Sequence, residues 1–271
     1  MASNRIDERF AALRASGSRA FVAYLTAGDP TPDATPGLVM ALERAGCDII
    51  ELGVPFSDPI ADGPTIQQAF QRALESGTHM ARVLEIIAEV RRCSRVPIVI
   101  FSYYNPVMRY GDQAFVADAA AAGADGLLLL DMPPEEAGGL IGECDRAGLR
   151  WVTLVAPTTP AERLPALVGR SSGFVYFVSR EGVTGARESL SSGIAAGVAR
   201  IREHTRAPVC VGFGISTEGQ VREVAADADG VVVGSAIVGQ IAAHGGASDL
   251  CERVEAFARP LAAAAHGGAV R

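Results

Sequence analysis

Eight short apolar runs, each followed by a longer helical stretch, set the architecture open to this 271-residue chain. The runs are 20–26 (AFVAYLT), 47–53 (CDIIELG), 97–101 (PIVIF), 125–130 (DGLLLL), 150–155 (RWVTLV), 173–178 (GFVYFV), 208–212 (PVCVG) and 229–233 (DGVVV). They are continuously apolar rather than alternating, as expected of parallel strands covered on both faces. Helical spacing follows at 64–75, 79–93, 112–122, 134–147, 161–168, 191–203, 217–226 and 248–263, with a short helix at 235–242. Thr35 and Pro36 read as the N-cap and first turn of another helix. A small residue, then Gly, then a strand recurs in AGCDIIEL, AGADGLLL and AGLRWVTL, and glycine there supplies the left-handed turn of a short connection. Arg-x-Pro opens the strands near 95 and 206, and proline is tolerated at a strand's first residue. A doubly wound open sheet is the rival architecture. Eight units of roughly 25–30 residues fill the chain and favour a closed (β/α)8 TIM barrel. The expectation is one α/β domain over 1–271, with an extra N-terminal helix (2–18) under the barrel, extra short helices in βα loops and a frayed tail over about 264–271.

Composition narrows the chemistry. The basic residues are 24 arginines and no lysine. A Schiff-base lysine, an internal pyridoxal-phosphate aldimine and a P-loop lysine are therefore excluded. A net charge of −7 disfavours general nucleic-acid binding. Cys47, Cys93, Cys144, Cys210 and Cys251 are scattered and odd in number, which fits a reducing cytoplasm and neither a disulfide scaffold nor a zinc site. The four histidines show no ligand spacing, so no metal is expected. No signal-peptide pattern or uncharged apolar stretch of about 18 residues stands out, so neither export nor a membrane span is expected.

In a parallel barrel, chemistry sits at the C-terminal strand ends. Glu51 is an acid in the apolar run Ile49-Ile50-Glu51-Leu52 near such an end. A dry barrel mouth would raise its pKa and suit it to acid–base work. The competing reading is a glutamate turned to solvent or paired with arginine. The next loop, GVPFSDPIADGP (53–64), is stiffened by prolines and carries Asp58 and Asp62. Before Gly63-Pro64, Asp62 is by position alone more ordinarily a helix cap than a catalytic group.

Glycine-rich turns follow the last two strands, Gly212-Phe213-Gly214-Ile215-Ser216 and Gly234-Ser235, each ahead of a helix. Helix N-termini bind anions, and these loops are the usual phosphate position in barrels. Plain turn chemistry is the alternative. A polar, small-residue stretch running from Ser179-Arg180-Glu181-Gly182-Val183-Thr184-Gly185 to Ser191-Ser192-Gly193 reads as a candidate lid. Tyr24, Phe101, Tyr103, Leu128, Leu130, Leu154, Tyr176 and Phe213 lie near strand ends and would line an apolar mouth, some of them as ordinary core. Trp151 reads as core.

The segment ELGVPFSDPIADGPTIQ (51–67) resembles the signature of the tryptophan synthase alpha chain family. The resemblance continues through FVAYLTAGDP (21–30), YYNP (103–106), GLLLLDMPPEE (126–136), SREGVTG (179–185), VGFGIS (211–216) and VVGSAIV (232–238), and spans about 15–260. It implies retro-aldol cleavage of indole-3-glycerol phosphate to indole and glyceraldehyde 3-phosphate, within tryptophan biosynthesis, without imine or metal. By position, Glu51 matches the catalytic glutamate that protonates indole C3 and helps remove the side-chain hydroxyl proton. Asp62 matches the aspartate that accepts the indole N–H. Tyr176 and Thr184 match substrate-side positions, with Thr184 contacting Asp62 when the lid closes. Gly185, Gly214, Gly234 and Ser235 match phosphate-binding positions. Phe174 stands where some relatives carry tyrosine and has no polar role.

The resemblance also implies a partner, a beta chain holding pyridoxal phosphate, in an α2β2 tetramer. This chain itself is expected to carry no cofactor. Pro55 and Asp58 of loop 53–62, Asn105-Pro106 and Met132-Pro133 match the partner-facing surface; the plainer reading is a set of proline-stiffened loops. Three rivals stay open: another phosphosugar barrel such as an isomerase, a free-standing indole-glycerol-phosphate lyase, and a silent barrel that only binds and regulates a beta chain.

Overall fold

The computed structural model describes residues 4–133, 135–179, 190–212 and 214–267, with the side chains of 190–192 excepted. Among the described residues, nine parallel strands form one sheet: β1 Ala20–Thr26, β2 Ile49–Gly53, β3 Ile98–Ser102, β4 Gly126–Leu129, β5 Arg150–Trp151, β6 Thr153–Val155, β7 Val175–Val178, β8 Val209–Gly212 and β9 Gly230–Val233. Their order is β5-β4-β3-β2-β1-β9-β8-β7-β6. The two ends of that order are consecutive pieces of the single run expected at 150–155. At Val152 the run changes partner: Val152 N donates to Leu127 O on one side at 2.9 Å, and Thr153 N to Phe174 O on the other at 3.3 Å. One sequence run thus counts as two strands, and the ring is a (β/α)8 barrel.

Alternation along each strand builds two cores. Phe21, Ala23 and Leu25 of β1, with Ile50 and Leu52 of β2, face the helices. Val22, Tyr24, Ile49, Val99, Phe101, Leu128, Val152, Phe174, Cys210 and Val232 fill the barrel interior. Both strand faces are buried, which is why the sequence runs are unbroken rather than alternating. The N-terminal helix Arg5–Ser16 closes the bottom, sending Ile6, Phe10 and Leu13 into the interior core. Asn4 caps it, accepting from Ile6 N at 2.8 Å. Phe10 meets Phe174 with ring centroids 5.9 Å apart, so Phe174 is a floor residue.

Several expected boundaries move for local reasons. The helix placed at Thr35-Pro36 begins at Ala34. Thr35 is therefore no cap: its hydroxyl accepts from Gly28 N at 2.9 Å and anchors the loop after β1. The helix expected from 134 starts at Gly138. Tyr104–Tyr110 forms an extra short helix after β3. The last helix, Leu250–His266, takes in 264–266 of the segment expected to fray, and 268–271 lie outside the described residues. Ala264 and Ala265 are buried, and His266 Nε2 lies 2.8 Å from Asp48 Oδ2. Alanines there are packing residues. The missing side chain of Gly46 lets the helix approach, since a Cβ at 46 would stand 3.3 Å from Ala262 Cβ. No helix among the described residues is long and apolar enough to cross a membrane.

Candidate active site

Glu51 lies in β2, opposite Tyr24 of β1 and Val99 of β3 in the strand register. It has no exposed surface, and neither carboxyl oxygen has a hydrogen-bond partner among the described residues. Burial alone pushes its pKa up to about 8. That placement excludes the solvent-turned reading, and no arginine among the described residues pairs with this glutamate.

Asp62 sits on the loop between β2 and the helix Pro64–Glu75. The helix cap is Gly63, and it makes no side-chain cap bond. Asp62 instead accepts from the Tyr103 hydroxyl at 2.6 Å. Burial raises the Asp62 pKa, and the Tyr103 bond pulls it back. The same hydroxyl accepts from Ala61 N at 3.0 Å, and Phe56 packs on the Tyr103 ring with centroids 5.2 Å apart. Tyr103, expected only as lining, thus fastens the Asp62 loop. Gln67 Nε2 donates to Asp62 O at 2.9 Å and holds it from the helix side.

Six of the eight residues expected as lining come together. Tyr24, Phe101 and Leu128 belong to the interior core, and Leu130, Leu154 and Tyr176 pack against it. Tyr24 and Phe101 meet edge to face at 5.1 Å. Ile66, one turn into the helix after Asp62, also packs there and is not among the lining residues expected from sequence; its position on that helix's inner side is the signal that could have found it. Gly53 and Gly212 are likewise unexpected as site-shaping residues. A Cβ at Gly53 would come within 2.2 Å of the Tyr24 hydroxyl oxygen, and one at Gly212 within 2.6 Å of that of Tyr176. Both tyrosine rings lie where these glycines leave room.

Of the phosphate positions, Gly234 is the residue before the helix Ser235–His244 and Ser235 is its first. Gly214 adopts φ 71°, a left-handed conformation that favours glycine. Thr184, Gly185 and Phe213 lie outside the described residues. So does most of the stretch read as a lid, except that Ser191-Ser192-Gly193 falls inside the helix Leu190–Arg202. Among the surface positions, Asp58, Asn105 and Pro133 are exposed, whereas Pro55 is buried within the chain. Ile60 and Met108 are exposed apolar side chains on the same two segments as Asp58 and Asn105. No group of three or more His, Cys, Asp or Glu side chains among the described residues could hold a metal ion.

The family model described as "Tryptophan synthase alpha chain" matches residues 10–266. The chain belongs to the tryptophan synthase alpha chain family. It is 48% identical over 258 residues to the tryptophan synthase alpha chain of Citrifermentans bemidjiense, covering 95% of this chain and 96% of that one. It is 51% identical over 257 residues to that of Solibacter usitatus, with the same coverage. The crystal structure of tryptophan synthase subunit alpha from Legionella pneumophila superposes with a TM-score of 0.90 at 36% identity, covering 97% of this chain and 98% of that one. The reaction of the family's alpha subunit, and of this lyase, is the cleavage of indole-3-glycerol phosphate in tryptophan biosynthesis.

Proposed function

We propose that Glu51 is the acid–base group of this cleavage, and the observation that carries the reading is its complete burial with no polar partner among the described residues. A pKa near 8 keeps the carboxyl protonated at neutral pH, so it holds a proton when substrate arrives. That proton passes to indole C3. The hydroxyl on the adjoining glycerol carbon gives up its proton to the resulting carboxylate. The carbon–carbon bond then breaks, its electron pair returns to the indole ring, and the hydroxyl carbon becomes the aldehyde of glyceraldehyde 3-phosphate. Glu51 gives one proton and regains one.

Asp62 accepts the indole N–H and stabilises the positive charge that C3 protonation creates on the ring. Tyr24, Phe101, Leu128 and Tyr176 enclose the flat ring, with Tyr103 orienting Asp62. Gly214, Gly234 and Ser235 hold the phosphate through backbone N–H groups and the serine hydroxyl. Thr184, Gly185 and Phe213 complete the site on the family pattern.

The partner is a beta chain, in an α2β2 tetramer in the cytoplasm, and the pyridoxal phosphate belongs to that chain. The exposed Asp58, Asn105 and Pro133 face it, while buried Pro55 shapes the loop from within. Binding there steadies the Asp62 loop, so cleavage by the isolated chain is expected to be slow. Indole release from indole-3-glycerol phosphate, measured with and without the beta chain, tests this; equal rates would remove the partner's role. Glu51→Gln is expected to abolish release in both settings, and a variant that still releases indole at the parent rate would overturn the assignment of Glu51.

A further inference from the structure

Next to Glu51 the inner face carries a hydroxyl pair that these roles leave unused. Tyr24 stands opposite Glu51 in the register of β1 and β2, on the same inward face. Its ring leans over Gly53, and its root rests against Gly234, where a Cβ would stand 3.3 Å from Tyr24 Cβ. The Tyr24 hydroxyl is 3.3 Å from Thr26 Oγ1, and Thr26 is fully buried. Two hydroxyls bonded to each other spend one proton between them, so the pair keeps one O–H to give. Asp62 and Glu51 both push the Tyr24 phenol upward in pKa, which places both carboxyls within electrostatic reach.

The two carboxyls differ in need. Asp62 already accepts from the Tyr103 hydroxyl; Glu51 accepts from none of the described residues. Once Glu51 hands its proton to carbon it is a buried anion, which is costly without a donor. Among the described residues, the titratable groups that feel its charge are Tyr24 from β1, Tyr176 from β7 and Cys210 from β8, with Asp62 acting on the same two tyrosines. A thiol is a weak donor, and Asp62 is an acceptor when ionised. Glu51 is the charge that most raises the Tyr176 phenol, but Tyr176 comes from a strand not adjacent to β2, whereas Tyr24 is the direct neighbour and has a second hydroxyl behind it.

We propose that Tyr24, backed by Thr26, is a positioning residue that donates to the Glu51 carboxylate once it forms and holds it ready for the second proton. When Glu51 is protonated, Tyr24 gives its proton to Thr26. When Glu51 ionises, Thr26 donates to Tyr24 and Tyr24 to Glu51, with no proton gained or lost by the pair. The proposal rests on the acid–base role of Glu51.

Infrared spectroscopy of the ligand-free enzyme tests it by following the protonated carboxyl of Glu51 as pH rises, with the Glu51→Gln spectrum subtracted to isolate the band. Removing a donor from an anion favours the protonated form. Tyr24→Phe is therefore expected to raise the titration midpoint by about one pH unit, the size of one hydrogen bond to a charged group. Thr26→Val should raise it less, and Thr26→Ser should keep the parent midpoint. Tyr176→Phe should leave the midpoint in place. A Tyr24→Phe midpoint that coincides with the parent's, or a shift found in Tyr176→Phe instead, overturns the proposal. Should Glu51→Gln keep releasing indole at the parent rate, the acid–base reading has failed, and the infrared midpoint still reports separately on Tyr24.

Discussion

The acids at the bottom of the barrel and Glu51 near its mouth are buried to the same degree and treated in opposite ways. At the bottom, Asp125 is 2% exposed and Asp48 3%; near the mouth, Glu51 is 0% exposed. Asp125 is met by Arg91 at 2.7 Å and Arg5 at 2.8 Å, and accepts from Ile98 N at 2.8 Å. Asp48 accepts from Phe21 N and is met by His266, both at 2.8 Å. Burial raises the Asp125 pKa, but both arginines and the Ile98 N–H pull against it. For Glu51, burial acts unopposed. Depth alone therefore does not mark a functional acid. The absence of a partner does, because the scaffold satisfies the acids it uses as fasteners.

The largest expected effects come from exchanging those fates. Glu51→Gln should lower the turnover of indole-3-glycerol phosphate, with beta chain present, by about 10²–10⁴-fold. It should also stabilise the fold at alkaline pH. A carboxyl whose folded pKa lies above its unfolded value costs stability as pH rises from the unfolded value, near 4.5, to about 8. Denaturant unfolding should find Glu51→Gln more stable than the parent by on the order of 4 kcal/mol at pH 8, and little changed at pH 4. Asp125→Ala should do the reverse. It strands Arg91 and Arg5 and is expected to cost about 3–5 kcal/mol, while turnover of the folded fraction stays within a few-fold. A stability gain in Asp125→Ala, or a loss in Glu51→Gln at pH 8, would break the contrast.

A smaller effect is expected within the mouth. Tyr103→Phe removes the hydroxyl that donates to the Asp62 carboxylate. That bond lowers the Asp62 pKa, so its loss should raise it. The acid limb of the turnover profile should move to higher pH, and the limiting rate should fall about tenfold. Superimposable profiles would mean that Asp62 is held by something other than Tyr103.

Much of the barrel and of its mouth is legible in the amino-acid sequence. Unbroken apolar runs specify strands buried on both faces, and one acid inside such a run must either find a partner or stay strained. The division of 150–155 into two strands is not legible, because partner exchange at Val152 leaves no trace in local composition. Asp62 is ambiguous for a physical reason: a carboxylate before Gly-Pro can cap a helix, and only Tyr103, 41 residues away in the chain, takes it elsewhere. The scaffold acids stand in plain view without a local mark of their role. In AGCDIIEL and AGADGLLL the glycine explains the turn, while the aspartate that follows fastens the next strand. Asp48 and Asp125 each accept an N–H from the neighbouring strand's start, and Asp229 repeats this with Val209 N at 2.9 Å. Arginine fasteners such as Arg91 sit on helix faces that sequence alone reads as solvated.

The smallest expected effect concerns the C-terminal helix, whose last residue joins the fastened end of the comparison. His266 meets Asp48 at 2.8 Å with about a third of its side chain exposed. The Asp48 bond raises the His266 pKa, against burial and the nearby Arg9 charge. A histidine with a raised folded pKa adds stability that is fully present below its unfolded value, near 6.5, and is lost as pH rises through the folded value. After discounting for solvent screening, the contribution is about 0.5–1 kcal/mol. His266→Ala should therefore destabilise the chain by that amount at pH 6 and by less at pH 9, as read by urea midpoints. Rising pH should thus enlarge the gain from Glu51→Gln and shrink the loss from His266→Ala. Equal loss at both pH values would assign the role of His266 to packing against Gly46 rather than to its charge.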